Sequence, residues 1–158
     1  MKHIISVLVE NKFGVLARVA GLFSARGFNI NSLAVGETED PAISRMTIVV
    51  EGDERTLEQI KKQLHKLIDV MTVYDLTKSG CIDRELLLVM VAAKSPKERE
   101  EIIAISETLK AAVANAGANS ITLEIAGDEV KIKSAVELLQ PFGIQALVRT
   151  GRIAMAME

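Results

Sequence analysis

The stretch HIISVLVENKFGVLARVAGLF, residues 3–23, carries the two periodicities that decide the fold. Its apolar side chains first alternate, as in a β-strand, and place Ile5, Val7 and Val9 on one face. After a short loop, apolar side chains recur at helical spacing along one stripe: Val15, Leu16, Val19, Leu22 and Phe23. We therefore predict a strand, a loop that contains Gly14 and an amphipathic helix.

The residues that follow predict three more strands and a second helix. Gly27 ends the first helix, and residues 28–35 and 45–51 are predicted to be two strands joined by a polar turn. Asp53 is a residue type that caps helices, and helical spacing continues after it until a last strand over residues 70–76. The order of this unit is βαββαβ.

The same order recurs in the second half of the chain. Residues 77–81 are mostly small and polar, and a strongly apolar strand is predicted over residues 86–92. Ser95 and Glu98 match a capping box, with Pro96 at the first helical position. The remaining elements are predicted to be a helix to about residue 109, a hairpin of residues 111–115 and 120–126, a helix around residues 132–139 and a strand over residues 144–148.

These patterns predict an α+β fold of two ferredoxin-like βαββαβ units. The first domain would span residues 1–77, a linker residues 78–83 and the second domain residues 84–158. Two helices cover only one face of each four-stranded sheet, although Ile4 and Leu8 are apolar on the opposite face of the first strand. We therefore expect the uncovered face or the sheet edge to meet another protein, most simply in a homodimer.

The loop before the first helix has the features of a carboxylate-binding site. A helix start offers unpaired N–H groups and a positive dipole end, and a glycine lets a small anion approach the main chain near Gly14, Val15 and Leu16. The Asn11 amide has an acceptor for an ammonium group and donors for a carboxylate. An asparagine before such a turn is also ordinary turn chemistry, so the pattern alone leaves both interpretations open. A ligand at this loop should be small and zwitterionic.

Several segments resemble the regulatory small subunits of acetohydroxyacid (acetolactate) synthase, an ACT-domain family. The segments of the first half are SVLVEN (residues 6–11), GVLARV (14–19), GLFS (21–24), RGFNI (26–30), SRMTI (44–48) and QLHKL (63–67). In the second half, RELLLV (residues 84–89) and the turn at Gly127 resemble the C-terminal domain of that family. The resemblance covers the whole chain and is more specific in its first half.

The resemblance implies a regulator that catalyses nothing itself, activates the catalytic large subunit and confers feedback inhibition by L-valine, or by leucine or isoleucine. It implies no cofactor on this chain and thiamine diphosphate, Mg²⁺ and FAD on the catalytic subunit. The implied effector-binding residues are Asn11, Gly14, Val15, Leu16, Asn29 and Ile30. In the family two ACT domains pair side by side, so that Asn29 and Ile30 of one chain would face the loop of the other.

The composition of the chain argues against nucleic acid and membranes as partners. A formal net charge of −2, a single Tyr and no Trp give little affinity for nucleic acid. Apolar runs fall short of the roughly 18–20 residues that cross a bilayer, so we expect no membrane association and a cytoplasmic location.

The chain shows no constellation of catalytic or metal-binding residues. Cys81 has no nearby histidine, His3 and His65 are expected to be exposed, and the acidic turn at residues 37–40 is expected to be solvated. Two alternative functions fit the same fold. One is a free-standing ACT-type amino-acid sensor for another enzyme or a transcription factor, and the other is a small enzyme on a ferredoxin-like scaffold.

Overall fold

The computed structural model describes all 158 residues, which form two compact units. The first unit comprises Met1–Ile82 together with Arg152–Glu158, and the second comprises Asp83–Gly151. The sequence-based domains and these units therefore differ at the C-terminus, because residues 152–158 lie with the first unit rather than with the second.

The first unit has the predicted βαββαβ order. Its elements are β1 (Lys2–Glu10), α1 (Val15–Ala25), β2 (Ile30–Glu37), β3 (Ile43–Glu51), α2 (Glu54–Leu64) and β4 (Val70–Asp75). The antiparallel sheet has the strand order β2-β3-β1-β4, so β2 and β4 are its edges. Both helices pack on one face, over a core that includes Ile5, Val7 and Ile48. Asp53 caps α2 as predicted, since its carboxylate accepts the N–H of Thr56 at 2.7 Å.

The opposite face of this sheet is partly covered by the chain itself. A short strand, β9 (Ile153–Ala156), buries Ala154 against Ile4, Val49 and Leu76. The Ala154 N–H donates to Thr47 Oγ1 at 3.4 Å. Residues 152–158 therefore cover part of the sheet face that the two helices leave open, and the expectation that the rest of this face or the sheet edge meets another protein stays a prediction.

The second unit repeats the βαββαβ order. Its elements are β5 (Cys81–Ala92), whose first two residues belong to the first unit, α3 (Pro96–Thr108), β6 (Ala112–Ala116), β7 (Ser120–Gly127), α4 (Glu129–Leu139), a 3₁₀ turn (Gln140–Phe142) and β8 (Ile144–Arg149). The strand order is β6-β7-β5-β8. Ser95 caps α3 through the N–H of Glu98, whereas the Glu98 carboxylate accepts the N–H of Lys94 rather than that of Ser95.

His3 is buried, which contradicts the expectation that it is exposed. It lies on the same face of β1 as Ile5 and Val7, and its Nε2 atom is 3.0 Å from the carbonyl oxygen of Gly52. The alternation of the strand therefore places it in the core, despite its position at the start of the chain. His65 is exposed, as expected.

The helices of the structure are all too short or too polar to cross a membrane.

Candidate functional site

The predicted loop is held from both sides. The Glu10 N–H donates to the carbonyl oxygen of Asp69 at 2.9 Å, and the Asn11 N–H donates to that of Ala42 at 2.7 Å. Gly14 then precedes α1 with φ 81° and ψ −5°, a left-handed conformation that favours glycine. The glycine predicted in the loop therefore occupies the one position of this segment that has a left-handed backbone.

The start of α1 leaves backbone donors available. No side chain caps this helix, whereas the N–H groups at the starts of α2, α3 and α4 are capped by Asp53, Ser95 and Asp128. The Val15 N–H donates to the Lys12 carbonyl oxygen at 3.3 Å, and the Arg18 N–H donates to that of Gly14 at 3.0 Å. Between them, the N–H groups of Leu16 and Ala17 have no protein acceptor. These two donors suit a carboxylate.

The side-chain amide of Asn11 has one orientation that satisfies its neighbours. Its Nδ2 atom lies 3.1 Å from Glu37 Oε1 and 2.9 Å from the carbonyl oxygen of Pro41. Both neighbours are acceptors, so the NH₂ group must face them. From the sequence alone, Asn11 could bind either end of a zwitterion. In the structure its NH₂ group is occupied by these two acceptors, so only its side-chain oxygen, a hydrogen-bond acceptor, is left for a ligand.

Two ion pairs lie next to the loop. Arg18 donates through Nε and Nη2 to Asp69 Oδ2 at 3.0 and 2.5 Å, and Asp69 is buried. Lys12 pairs with Glu10 at 2.7 Å, and this hydrogen bond raises the pKa of Lys12 above its ordinary value. The contact between Arg18 and Asp69 was not predicted, because the two residues lie 51 positions apart along the chain.

Asn29 and Ile30 lie far from this loop within one chain. Ile30 pairs with Val50, and Val50 pairs with His3 near the start of β1. The loop follows Glu10 at the other end of β1, so the strand rise separates the two groups by roughly 24 Å. The predicted site residues therefore form two separate groups within one chain: Asn11, Gly14, Val15 and Leu16 at one end of the sheet, and Asn29 and Ile30 at the other.

Exposure also differs among the predicted residues. Val15 is buried at 3% exposure and belongs to the core, whereas Leu16 is 46% exposed. Asn11 and Asn29 are exposed, and Ile30 is partly buried. Of the two predicted apolar residues at the start of α1, Leu16 is therefore the one that a ligand could contact directly, and the loop residue Phe13, which was not predicted, is fully exposed as well.

A groove of about 400 Å³ occurs elsewhere on the first unit. Its lining residues are Ala25, Arg26, Phe28, Gln59 and Gln63. None of the six predicted site residues lines it, although Phe28 directly precedes Asn29 in the sequence.

Comparisons with known proteins show the family of both units. Residues 5–72 match the family model described as AHAS small subunit-like ACT domain, and residues 84–158 match the one described as small subunit of acetolactate synthase. The fold and the matched model define the first unit as an ACT domain.

Similar proteins extend the match over the whole chain. The acetolactate synthase small subunit of Aquifex aeolicus is 47% identical over 157 residues, which cover 99% of this chain and 82% of that protein. That of Bacillus subtilis is 43% identical and covers 99% of this chain and 91% of its own. The crystal structure of the Thermotoga maritima acetolactate synthase small subunit has a TM-score of 0.90 and 36% identity, covering 100% of this chain and 98% of its own. The chain belongs to the family of acetolactate synthase small subunits.

Proposed function

We propose that this chain regulates acetolactate synthase by binding L-valine, or another branched-chain amino acid, at the loop around Gly14. The chain itself is non-catalytic, raises the activity of the catalytic large subunit and transmits feedback inhibition to it. The observation that carries the proposal is the uncapped start of α1 in an ACT domain, with the N–H groups of Leu16 and Ala17 open beside Gly14. In this proposal, thiamine diphosphate, Mg²⁺ and FAD belong to the catalytic subunit.

A homodimer would complete the effector site. β2 is an edge strand, and its unpaired backbone groups are suited to pairing with a second copy. If two β2 strands pair antiparallel about a twofold axis, the first residues of one lie beside the last residues of the other. Glu37 ends β2 and contacts Asn11. Asn29 and Ile30 of one chain would then lie beside the loop of the other, which supports a shared site.

The proposal links effector binding to the catalytic subunit by coupling between sites. A coupling free energy of about 1–3 kcal/mol would change an affinity by roughly 5–150-fold. Binding reciprocity requires the catalytic subunit to change valine affinity by the same factor.

Two measurements test the proposal. The first is titration calorimetry of the full chain with L-valine, L-leucine, L-isoleucine and D-valine. The second is the rate of acetolactate synthesis by the catalytic subunit with and without the chain. We expect saturable binding of an L-branched-chain amino acid, activation by the chain and inhibition by that amino acid only when the chain is present. Binding without any effect on the catalytic subunit would favour a free-standing sensor. The absence of binding, both alone and in the complex, would refute the effector site.

A further inference from the structure

We propose that the side chains of Phe13, Ile68 and Met71 form an apolar patch that docks on the catalytic large subunit of acetolactate synthase. This inference rests on the proposed function, because that function requires the chain to bind a catalytic subunit, and it adds the surface that does so. None of the three residues belongs to the predicted effector site, and none packs into a core of the first unit.

The first observation is the exposure of two large apolar side chains on ordered turns. Phe13 is fully exposed in the loop before α1, and Ile68 is 94% exposed in the connection between α2 and β4. That connection is a closed turn, since the Val70 N–H donates to the Leu67 carbonyl oxygen at 3.1 Å and Leu67 packs against the core. Burial of each exposed side chain by a partner would gain roughly 1.5–3 kcal/mol before the costs of association.

The second observation is that the two turns are held together. The Glu10 N–H donates to the Asp69 carbonyl oxygen at 2.9 Å. Phe13 lies three residues after Glu10, and Ile68 directly precedes Asp69. Along this path the two apolar residues are at most roughly 20 Å apart. They therefore fit within the surface of roughly 800 Å² that one partner contributes to a standard protein–protein interface.

Met71 extends the apolar patch along the edge strand β4. Leu8 of β1 pairs with Thr72 and Val9 pairs with Val70, so Met71 is the extra residue of a bulge, and its side chain is half exposed. A bulge re-aims a side chain and disfavours the pairing of another strand at a sheet edge. A partner at this edge would therefore bind through side chains, whereas the proposed homodimer pairs the opposite edge, β2.

The charges around the patch favour a partner that carries carboxylates. Lys66, two residues before Ile68, is exposed and forms no ion pair. Glu10 and Asp69, the carboxylates of the two turns, are each already paired with a cation of the chain. The acidic turn at residues 37–40 follows β2, at the other edge of the sheet. The patch thus combines apolar anchors with a cationic rim.

The catalytic subunit is the occupant to which these features point. A second copy of the chain is already placed at β2 in the proposed homodimer, so the β4 edge would face outward in that dimer. The proposed regulation requires a different protein to bind the chain. A few aromatic and aliphatic anchors surrounded by a polar rim are typical of such interfaces. We therefore expect the catalytic subunit to present an apolar pocket bordered by Asp or Glu side chains.

The test compares Ile68→Asp with Val130→Asp, which changes an exposed apolar residue of α4 in the second unit. Affinity for the catalytic subunit is measured by calorimetry and by the concentration of chain that gives half-maximal activation. We expect Ile68→Asp to raise that concentration about tenfold or more, because a carboxylate replaces an anchor and opposes the acidic rim of the pocket. Val130→Asp and the conservative Ile68→Leu should match the wild type.

Two further measurements accompany this comparison. Because Ile68 is almost wholly exposed, Ile68→Asp should leave the sedimentation of the isolated chain and its valine affinity as in the wild type. Lys66→Gln should reduce the dependence of the affinity for the catalytic subunit on salt concentration, because it removes a rim charge.

The contrary outcomes are distinguishable. Unchanged affinity of Ile68→Asp for the catalytic subunit refutes the inference and leaves the proposed function standing. Equal weakening in Ile68→Asp and Val130→Asp also refutes it, since added negative charge anywhere on the chain would then be responsible. Altered sedimentation of Ile68→Asp would assign the patch to a contact between copies of this chain. If the wild-type chain neither binds nor activates the catalytic subunit, the proposed function fails as well.

Discussion

At Gly14, a substitution can act through the left-handed backbone or through the charge of the new side chain, and two matched variants distinguish these effects. The φ of 81° disfavours most side chains, but Asp and Asn tolerate this conformation better than other residues. A Cβ atom there would lie 3.5 Å from Arg18 Nη1, an ordinary contact. We expect Gly14→Asp to abolish valine inhibition and to preserve activation of the catalytic subunit, because its carboxylate would stand where the effector carboxylate binds. Inhibition curves of the reconstituted enzyme measure both effects.

Gly14→Asn is the matched control, since it has nearly the same volume and the same backbone demand without the charge. It should retain measurable valine inhibition. An equal loss in Asn and Asp variants would mean that the left-handed backbone, and not the repulsion between carboxylates, is responsible.

The Arg18–Asp69 pair is expected to stabilise the loop. Asp69 is 7% exposed and accepts two charged donors, whereas the Arg18 side chain is 51% exposed, so solvent screens part of the interaction. We expect Asp69→Asn to lower the free energy of unfolding by about 1–2 kcal/mol, measured by urea denaturation. Glu10→Gln removes an exposed ion pair and should leave the midpoint of urea denaturation unchanged. An equal loss of stability in Asp69→Asn and Glu10→Gln would argue against a role for the burial of Asp69.

At the scale of the element, the capping of α2 predicts a pH dependence of stability. The Thr56 N–H and hydroxyl donate to the Asp53 carboxylate and hold its pKa below its ordinary value of 3.8. A lowered folded-state pKa contributes stability above the unfolded pKa, which is lost as the pH falls through the folded-state value. We expect Asp53→Ala to lower the Tm at neutral pH, with a difference from wild type that shrinks below about pH 4. Asp53→Asn, which caps without a charge, should show a smaller difference at neutral pH, and this difference should also shrink as the pH falls, because the titrating group is in the wild type.

The strand β9 offers a second test at this scale. Ala154 is 6% exposed against Ile4 and Val49, while the adjacent Met155 is 68% exposed. A charge at position 154 would cost more to bury than the strand gains by docking, so Ala154→Asp should release residues 153–158. We expect loss of hydrogen-exchange protection at the Ala154 and Met157 amides, whose acceptors are Thr47 and Gly80. Met155→Asp should keep that protection; if it does not, charge alone rather than burial loosens the strand.

The helices and strands that show a clear hydrophobic periodicity could be predicted from the sequence. The βαββαβ order and the caps at Asp53 and Ser95 are confirmed, because strand alternation, helical stripes and cap residues are local properties of the chain. β9 was missed, since its short alternation of Ile153, Ala154 and Met155 has no flanking signal and gains its order from a sheet face more than a hundred residues earlier.

At the scale of the whole molecule, the site depends on contacts that the sequence does not display. The glycine and the uncapped helix start could be predicted from local chemistry. The orientation of the Asn11 amide could not, because its acceptors lie 26 and 30 residues away. The separation of Ile30 from the loop likewise follows from strand register, which only the assembled sheet fixes. We therefore expect a site that includes both groups of residues to require two chains.

Mixing two defective variants tests that shared site directly. We expect Asn11→Ala and Asn29→Ala each to lose valine binding when assembled as pure dimers. In a mixed dimer, one site combines both defects and the other combines the intact loop of one chain with the intact Asn29 of its partner. Random exchange should therefore restore about a quarter of the sites, counted by titration after the two variants are unfolded and refolded together. If each site were built within a single chain, mixing would restore no binding. That result would contradict a site shared between two chains.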